Sequence, residues 1–269
     1  MCLLLLAIRP DPRYALVVAA NRDEMYARPA APLGFWEQSP GLLAGRDLEA
    51  GGTWLGLTRG GRFAALTNFR ERARDSREAP SRGTLVAEFL SGQQEAPSFL
   101  DRLRAEGHRF RGFSMVFGTV ERLFHFSNRE ARSGPLGPGL HGLSNGPLDA
   151  PWPKVSTGKE RLGAALAGPN GDLCAGLFRL LSDRSPAPDS ELPDTGVGLE
   201  WERLLSPRFV VTPIHGTRCS TVVMITSQGT AYVEERAFDF DGAPGNVRQF
   251  EFDLTMPAGV EGPARSPRG

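Results

Sequence analysis

Seven apolar residues in a row, Cys2 to Ile8, open the chain, and six more, Ala15 to Ala20, follow the turn Arg9-Pro10-Asp11-Pro12-Arg13. A strand with one wet face alternates apolar and polar residues, whereas an unbroken apolar run buries both faces. A membrane span needs about 20 such residues, so neither run is expected to cross a bilayer. The two read as a hairpin. A hairpin buried on both faces has to lie inside a layered structure, and that requirement limits the fold more than any other feature of the sequence.

The rest of the chain supplies the layers. Strands are predicted over Thr53 to Thr58 after Gly51-Gly52, and over Arg62 to Asn68 after Gly60-Gly61. Hairpins are predicted over 112–118 with 121–126 and over 218–226 with 230–235. Helical periodicity marks 154–167 and 172–181, and Ser81 is placed to cap a helix over 84–90. Four stretches read as loops: the Pro-rich 28–40, the charged 70–82 (expected to be mobile), the Gly/Pro-rich 134–142, and 183–198. The expectation is one α+β domain over 1–256, with two buried sheets covered by helices and a frayed, disordered tail over 257–269.

Composition removes several functions. Thirty-one basic residues balance 31 acidic ones, so the excess of positive charge that phosphate binding needs is missing, and no nucleic-acid partner is expected. Among the basic residues only Lys154 and Lys159 are lysines; with the many glycines and prolines this reads as the coding bias of a GC-rich bacterial genome. Three scattered cysteines (Cys2, Cys174 and Cys219) do not make a disulfide framework or a zinc site, and the four histidines lack metal-ligand spacing, so no metal is expected. No basic region precedes the first apolar run and no cleavage site follows it, so a cytoplasmic protein is expected.

Cys2 is the residue with the most chemical content. If Met1 is removed, its thiol shares a residue with an α-amine, and both titrate close to neutrality. Nucleophile and base then arrive together. The plainer reading is a buried strand cysteine. The second constellation is Asn21-Arg22-Asp23-Glu24, which ends the second apolar strand. Alternation puts Asn21 and Asp23 on one face and Arg22 and Glu24 on the other, and antiparallel pairing brings the tetrad close to Cys2. The plainer reading here is a solvated turn.

A Met-Cys start followed by this tetrad resembles the NRDE family, which includes the eukaryotic transport and Golgi organisation protein 2. The likeness continues in order through Gly45-Arg46-Asp47, Gly51-Gly52-Thr53-Trp54-Leu55-Gly56, Leu66-Thr67-Asn68-Phe69-Arg70, Ser81-Arg82-Gly83, His141-Gly142-Leu143-Ser144-Asn145, Pro151-Trp152-Pro153-Lys154, Leu192-Pro193-Asp194-Thr195-Gly196 and Gly216-Thr217-Arg218. That family is in turn similar to the N-terminal nucleophile hydrolases of the bile-salt-hydrolase and penicillin-V-acylase type. The resemblance implies a four-layer αββα sandwich of two antiparallel sheets. It implies Cys2 as nucleophile, Asp23 as the partner of the α-amine, Asn145 as oxyanion donor with Asn68 as a second, and Arg218 as the late arginine near the thiol. One departure stands out: the acylases carry an arginine three residues before the aspartate, and here that position is Ala20. Arg22 is the substitute the sequence offers, although alternation turns it away from Asp23.

The expected function is an N-terminal cysteine amidohydrolase or acyltransferase, cleaving an amide (a non-peptide C–N bond) or thioester of a small amphipathic molecule after loss of Met1 and without a cofactor. Asn21, Arg22, Asn68, Trp54 and His141 are expected to serve as oxyanion donors or to line the pocket. The alternative is a non-catalytic carrier of haem or an acyl lipid, as suggested for the eukaryotic relatives; an interaction module that keeps the fold without the chemistry is the third reading.

Overall fold

A computed structural model of the chain describes residues 2–70, 79–168 and 173–255. The first two apolar runs form β1 (Cys2–Asp11) and β2 (Tyr14–Met25), paired antiparallel with Ile8 opposite Leu16 and Cys2 opposite Arg22. Leu4, Leu6 and Ile8 point to one side of this pair and Leu3, Leu5 and Ala7 to the other, and all six are buried. The unbroken apolar runs therefore have apolar partners on both faces.

The strands that follow are β3 (Ala30–Trp36), β4 (Ser39–Asp47), β5 (Leu55–Thr58), β6 (Arg62–Asn68), β7 (Phe113–Thr119), β8 (Arg122–Ser127) and β9 (Gly134–Pro135), which form a seven-stranded antiparallel sheet in that order. The other sheet has six strands in the order β10-β1-β2-β11-β12-β13, with β10 (Gly139–Leu143), β11 (His215–Thr226), β12 (Thr230–Phe238) and β13 (Pro244–Asp253). Leu4, Leu6, Val18, Phe63, Val116 and Val223 fill the space between the sheets. The helices α1 (Gly83–Ser91) and α2 (Ala96–Glu106) cover the outer face of the seven-stranded sheet through Val86, Phe89 and Phe99. The outer face of the six-stranded sheet is covered by α3 (Pro153–Ala167) and α4 (Leu173–Leu181), through Val155, Leu162 and Leu177. A short α5 (Leu199–Leu204) follows the loop after α4. The architecture is a four-layer αββα sandwich.

The sequence pattern predicts no element where α2, α5 and β13 lie, and three segments it does assign differ from the expectation. The Pro-rich stretch 28–40 holds most of the β3–β4 hairpin; its Pro32 lies exposed on an edge strand, where no ladder donor is needed. The 134–142 loop contains the short edge strands β9 and β10. Ser81 does contribute to the start of α1, but with its carbonyl, which accepts from Thr84 N at 3.3 Å and Thr84 Oγ1 at 2.6 Å; the N-cap position itself is Arg82, which makes no side-chain cap bond. Most of the 70–82 loop and the whole 257–269 tail lie outside the described residues.

The Gly51-Gly52-Thr53 and Ser81-Arg82-Gly83 segments meet backbone to backbone. Thr53 N donates to Gly83 O at 3.1 Å, and a Cβ on Gly52 would lie 2.4 Å from the Gly83 carbonyl carbon and 2.7 Å from Thr84 N. Gly52→Ala forces these backbones apart and is expected to cost about 1–3 kcal/mol in a denaturant titration; an unchanged midpoint would show that the loop moves aside freely.

Candidate active site

At the open end of the six-stranded sheet the register sets Cys2, Arg22 and Cys219 side by side across β1, β2 and β11. Residues directly opposite in antiparallel strands share a face, so these three continue the row that points toward the other sheet. Arg22 is buried, and its guanidinium stacks 4.3 Å from the Trp54 ring centre. Trp54 fits there because residue 45 is glycine: a Cβ on Gly45 would sit 2.3 Å from the indole edge.

The opposite face carries Asn21 and Asp23, as alternation requires. Asp23 lies one step beyond the Cys2–Arg22 pair, on the side from which the chain enters β1, and Thr217 Oγ1 donates to its Oδ1 at 2.7 Å. Asn21 is committed to structure. Its Nδ2 donates to Leu181 O and Arg208 O at 2.9 and 2.7 Å, and its Oδ1 accepts from Ser220 Oγ at 2.6 Å.

The two sheets are stitched together beside Cys2. Ser144 Oγ donates to Cys2 O at 3.2 Å, Thr67 Oγ1 donates to Ser144 O at 2.6 Å, and Asn145 Nδ2 donates to Asn68 O at 2.9 Å. Arg70 N closes the seam on Asn145 O at 2.6 Å. Asn68 thereby reaches the cleft from the seven-stranded sheet, whereas Asn145, expected as the first oxyanion donor, is fully buried behind it with its side-chain amide given to the Asn68 backbone carbonyl.

These residues border a cleft of about 410 Å³ whose walls include Cys2, Arg22, Asp23, Trp54, Asn68 and Arg82. Arg28, also at the rim, is held by Asp47 at 2.8 Å and Glu49 at 3.0 Å. The lining is mostly polar and charged, with Leu66, Trp54 and Pro80 as its larger apolar members. Among the described residues no group of three or more His, Cys, Asp or Glu comes together as a metal site.

Burial dominates the electrostatics. It pushes the Cys2 thiol up from its ordinary value, with the Asp23 carboxylate adding to the rise and Arg22 working against it. Burial also raises Asp23, opposed by the charge of Lys154 and the Thr217 hydrogen bond. Lys154 is lowered to about 8 by burial and by Arg70, and His215 to about 4, chiefly by burial. Cys2 therefore rests as a thiol and needs a proton acceptor to react.

Two sequence candidates lie elsewhere. Arg218 is the extra residue of a bulge between the Thr217–Asp23 and Cys219–Arg22 pairs, and its Nη1 donates to Met25 O, Tyr26 O and Arg28 O at 3.0–3.2 Å. It fastens the turn after β2 instead of reaching the thiol. His141, opposite Leu6 on edge strand β10, contacts Asp149 Oδ2 at 3.2 Å and Gly137 O at 2.9 Å, away from the cleft. Hydrogen bonds from His141 and Lys159, outweighing its own burial, hold Asp149 at about 2. A depressed carboxylate stabilises the fold above its unfolded value and loses that contribution as pH falls toward the folded one. Asp149→Asn is therefore expected to lower the melting temperature at pH 7, the deficit shrinking as acid is added toward pH 2; a pH-independent deficit would contradict the assignment.

The residue that sequence reasoning passed over is Lys154, buried near Asp23 and Cys2. Its signal was faint: one of only two lysines, directly after a Trp-Pro helix start.

Two antiparallel sheets between helical layers, with a cysteine heading an interior strand at a charged cleft, define an αββα sandwich protein. The chain belongs to the Transport and Golgi organisation 2 family, whose profile matches residues 1–239. It is 36% identical to the Transport and Golgi organization protein 2 homolog of Bos taurus, over 88% of this chain and 93% of that protein. With the homolog of Homo sapiens it is 33% identical, over 94% and 99% respectively. Among solved structures, a penicillin V acylase from Agrobacterium tumefaciens is similar with a TM-score of 0.48 and 12% identity, over 94% of this chain and 86% of that one. No helix among the described residues is long and apolar enough to cross a membrane.

Proposed function

We propose that the protein is a cysteine amidohydrolase or acyltransferase acting on an amide or thioester of a small molecule, with Cys2 as N-terminal nucleophile once the Met1–Cys2 peptide bond is cleaved. The observation that carries this reading is the setting of Cys2: a thiol at the head of an interior strand, bordering a charged cleft, with Asp23 one register step away. Because burial keeps the thiol protonated, a base is required, and the freed α-amine beside Asp23 is that base.

The amine takes the thiol proton, and sulfur attacks the substrate carbonyl. The oxyanion that forms is met by the Asn68 amide, which Asn145 buttresses through the Asn68 carbonyl. The α-ammonium then returns its proton to the leaving amine or thiolate as the carbon–nitrogen or carbon–sulfur bond breaks, leaving an acyl thioester on Cys2. Water, giving its proton to the amine, attacks the thioester carbonyl; the carbon–sulfur bond breaks, the thiolate takes that proton back from the ammonium, and the acid leaves. Another nucleophile in place of water gives acyl transfer. The steps call for no cofactor.

The charged lining supports a substrate with polar or ionic groups. Carriage of haem or an acyl lipid asks for largely apolar walls, so the lining favours turnover over carriage. Intact-mass measurement of the mature protein, with mapping of the site labelled by iodoacetamide, tests the reading. A free Cys2 terminus that takes the label is expected; retained Met1 or an unlabelled Cys2 would remove its basis.

A further inference from the structure

Lysine is seldom fully buried unless it is paired. Lys154 is 5% exposed, and it sits in the first turn of α3, where the helix dipole disfavours a cation. Its ammonium donates to Leu205 O at 3.0 Å. A neutral side chain would avoid both costs, so the charge calls for a reason. The other lysine, Lys159, has an ordinary one: a surface pair with Asp149 at 2.7 Å.

The charges around Lys154 come from every neighbouring element: Arg70 after β6, Asp23 on β2, Cys2 on β1, Glu202 on α5 and His215 on β11. Several cancel among themselves. Arg70 Nη1 is bound to Glu202 Oε2 at 2.5 Å, and His215, kept low by burial, is uncharged at neutral pH. What remains is a buried ammonium on α3 and a buried carboxylate on β2, both on the helix-covered face of the six-stranded sheet. Arg22 cannot take this part, because it lies on the other face of β2 against Trp54.

We propose that Lys154 is a positioning residue that sets the protonation of the Cys2 centre, its ammonium offsetting the Asp23 carboxylate so that the α-amine of a processed Cys2 is available as a free base. The inference rests on the hydrolase reading above. An aspartate alone would hold the α-ammonium and its proton together; a second cation competes for that carboxylate and lowers the proton affinity of both amine and thiol. Lys154 acts through Asp23 and the amine and need not touch the substrate.

The test is the pH dependence of Cys2 alkylation by iodoacetamide, mapped to Cys2 by peptide mass spectrometry in processed wild-type protein, Lys154→Gln and Lys154→Arg. Gln keeps a donor for the Leu205 carbonyl and removes the charge; Arg keeps the charge. The midpoint is expected to rise by about one pH unit or more in Lys154→Gln, roughly tenfold slower labelling at neutral pH, and to stay within about 0.3 units in Lys154→Arg. A purely structural lysine would change melting temperature without moving the midpoint. If Lys154→Gln does not fold, Lys154→Met is read in the same way. A neutral variant with the wild-type midpoint overturns the proposal and leaves the hydrolase reading standing; a wild-type Cys2 that is never labelled overturns the hydrolase reading, and this one with it.

Discussion

Cys2→Ala is expected to abolish turnover, a loss on the order of 10⁴–10⁶-fold, while the protein stays folded. Cys2 lies outside the three hydrophobic clusters of the sandwich, and its recorded tie to β10 runs through its backbone carbonyl, which accepts from Ser144. Alanine keeps that bond and the strand register and removes only the sulfur. Cys2→Ser tests the same point more finely, because a hydroxyl keeps the shape but surrenders its proton far less readily than a thiol. A screen of acyl amides and thioesters against wild type and both variants supplies the measurement. Hydrolysis that survives in Cys2→Ala would eliminate the nucleophile assignment. Unchanged ligand retention in Cys2→Ala, with no hydrolysis in wild type, would favour a carrier.

The largest stability effect is expected at Glu202. It is buried on α5, accepts from Arg70 Nη1 at 2.5 Å, and takes the Thr195 N–H and hydroxyl at 2.9 and 2.5 Å. Arg70 is itself buried, and among the described residues its Nε and Nη2 have no hydrogen-bond partner. Glu202→Ala leaves that guanidinium uncompensated in a low-dielectric setting, a loss of about 3–5 kcal/mol. The double variant Arg70→Met with Glu202→Ala is expected to recover much of this, since the penalty comes from the stranded charge more than from the lost pair. Chemical denaturation of the three proteins checks both statements. A Glu202→Ala cost below about 1 kcal/mol would mean that water reaches Arg70.

The layered fold was legible because unbroken apolar runs leave a strand no wet face, and the tetrad's place beside Cys2 followed from hairpin register alone. Arg218 was expected near the thiol from the resemblance alone, which carries no local geometry; a single bulge residue between Thr217 and Cys219 sends its side chain to the 25–28 turn. Asn21 was put on the correct face, but its partners come from the ends of distant segments, Leu181 and Arg208, which no local pattern announces. Lys154 escaped notice for a similar reason. A lysine at a helix start reads as solvated, and its burial depends on chain that returns some fifty positions later to place the Leu205 carbonyl over it. The β3–β4 hairpin was hidden by prolines: Pro32 lies on the edge strand β3, and Pro40 at the start of β4, before its pairing with β5 begins at Leu42.

Cys2 belongs to one sheet and Asn68 to the other, and the Thr67–Ser144 and Asn145–Asn68 bonds rivet the two together beside them. The gap between the Cys2 sulfur and the Asn68 amide is therefore a dimension of the whole sandwich, not of any one strand. A change of volume at Leu6 or Phe63, deep between the sheets, works like a shim in a hinge: it is felt at the cleft as a change of spacing, because a close-packed interior transmits displacement instead of absorbing it.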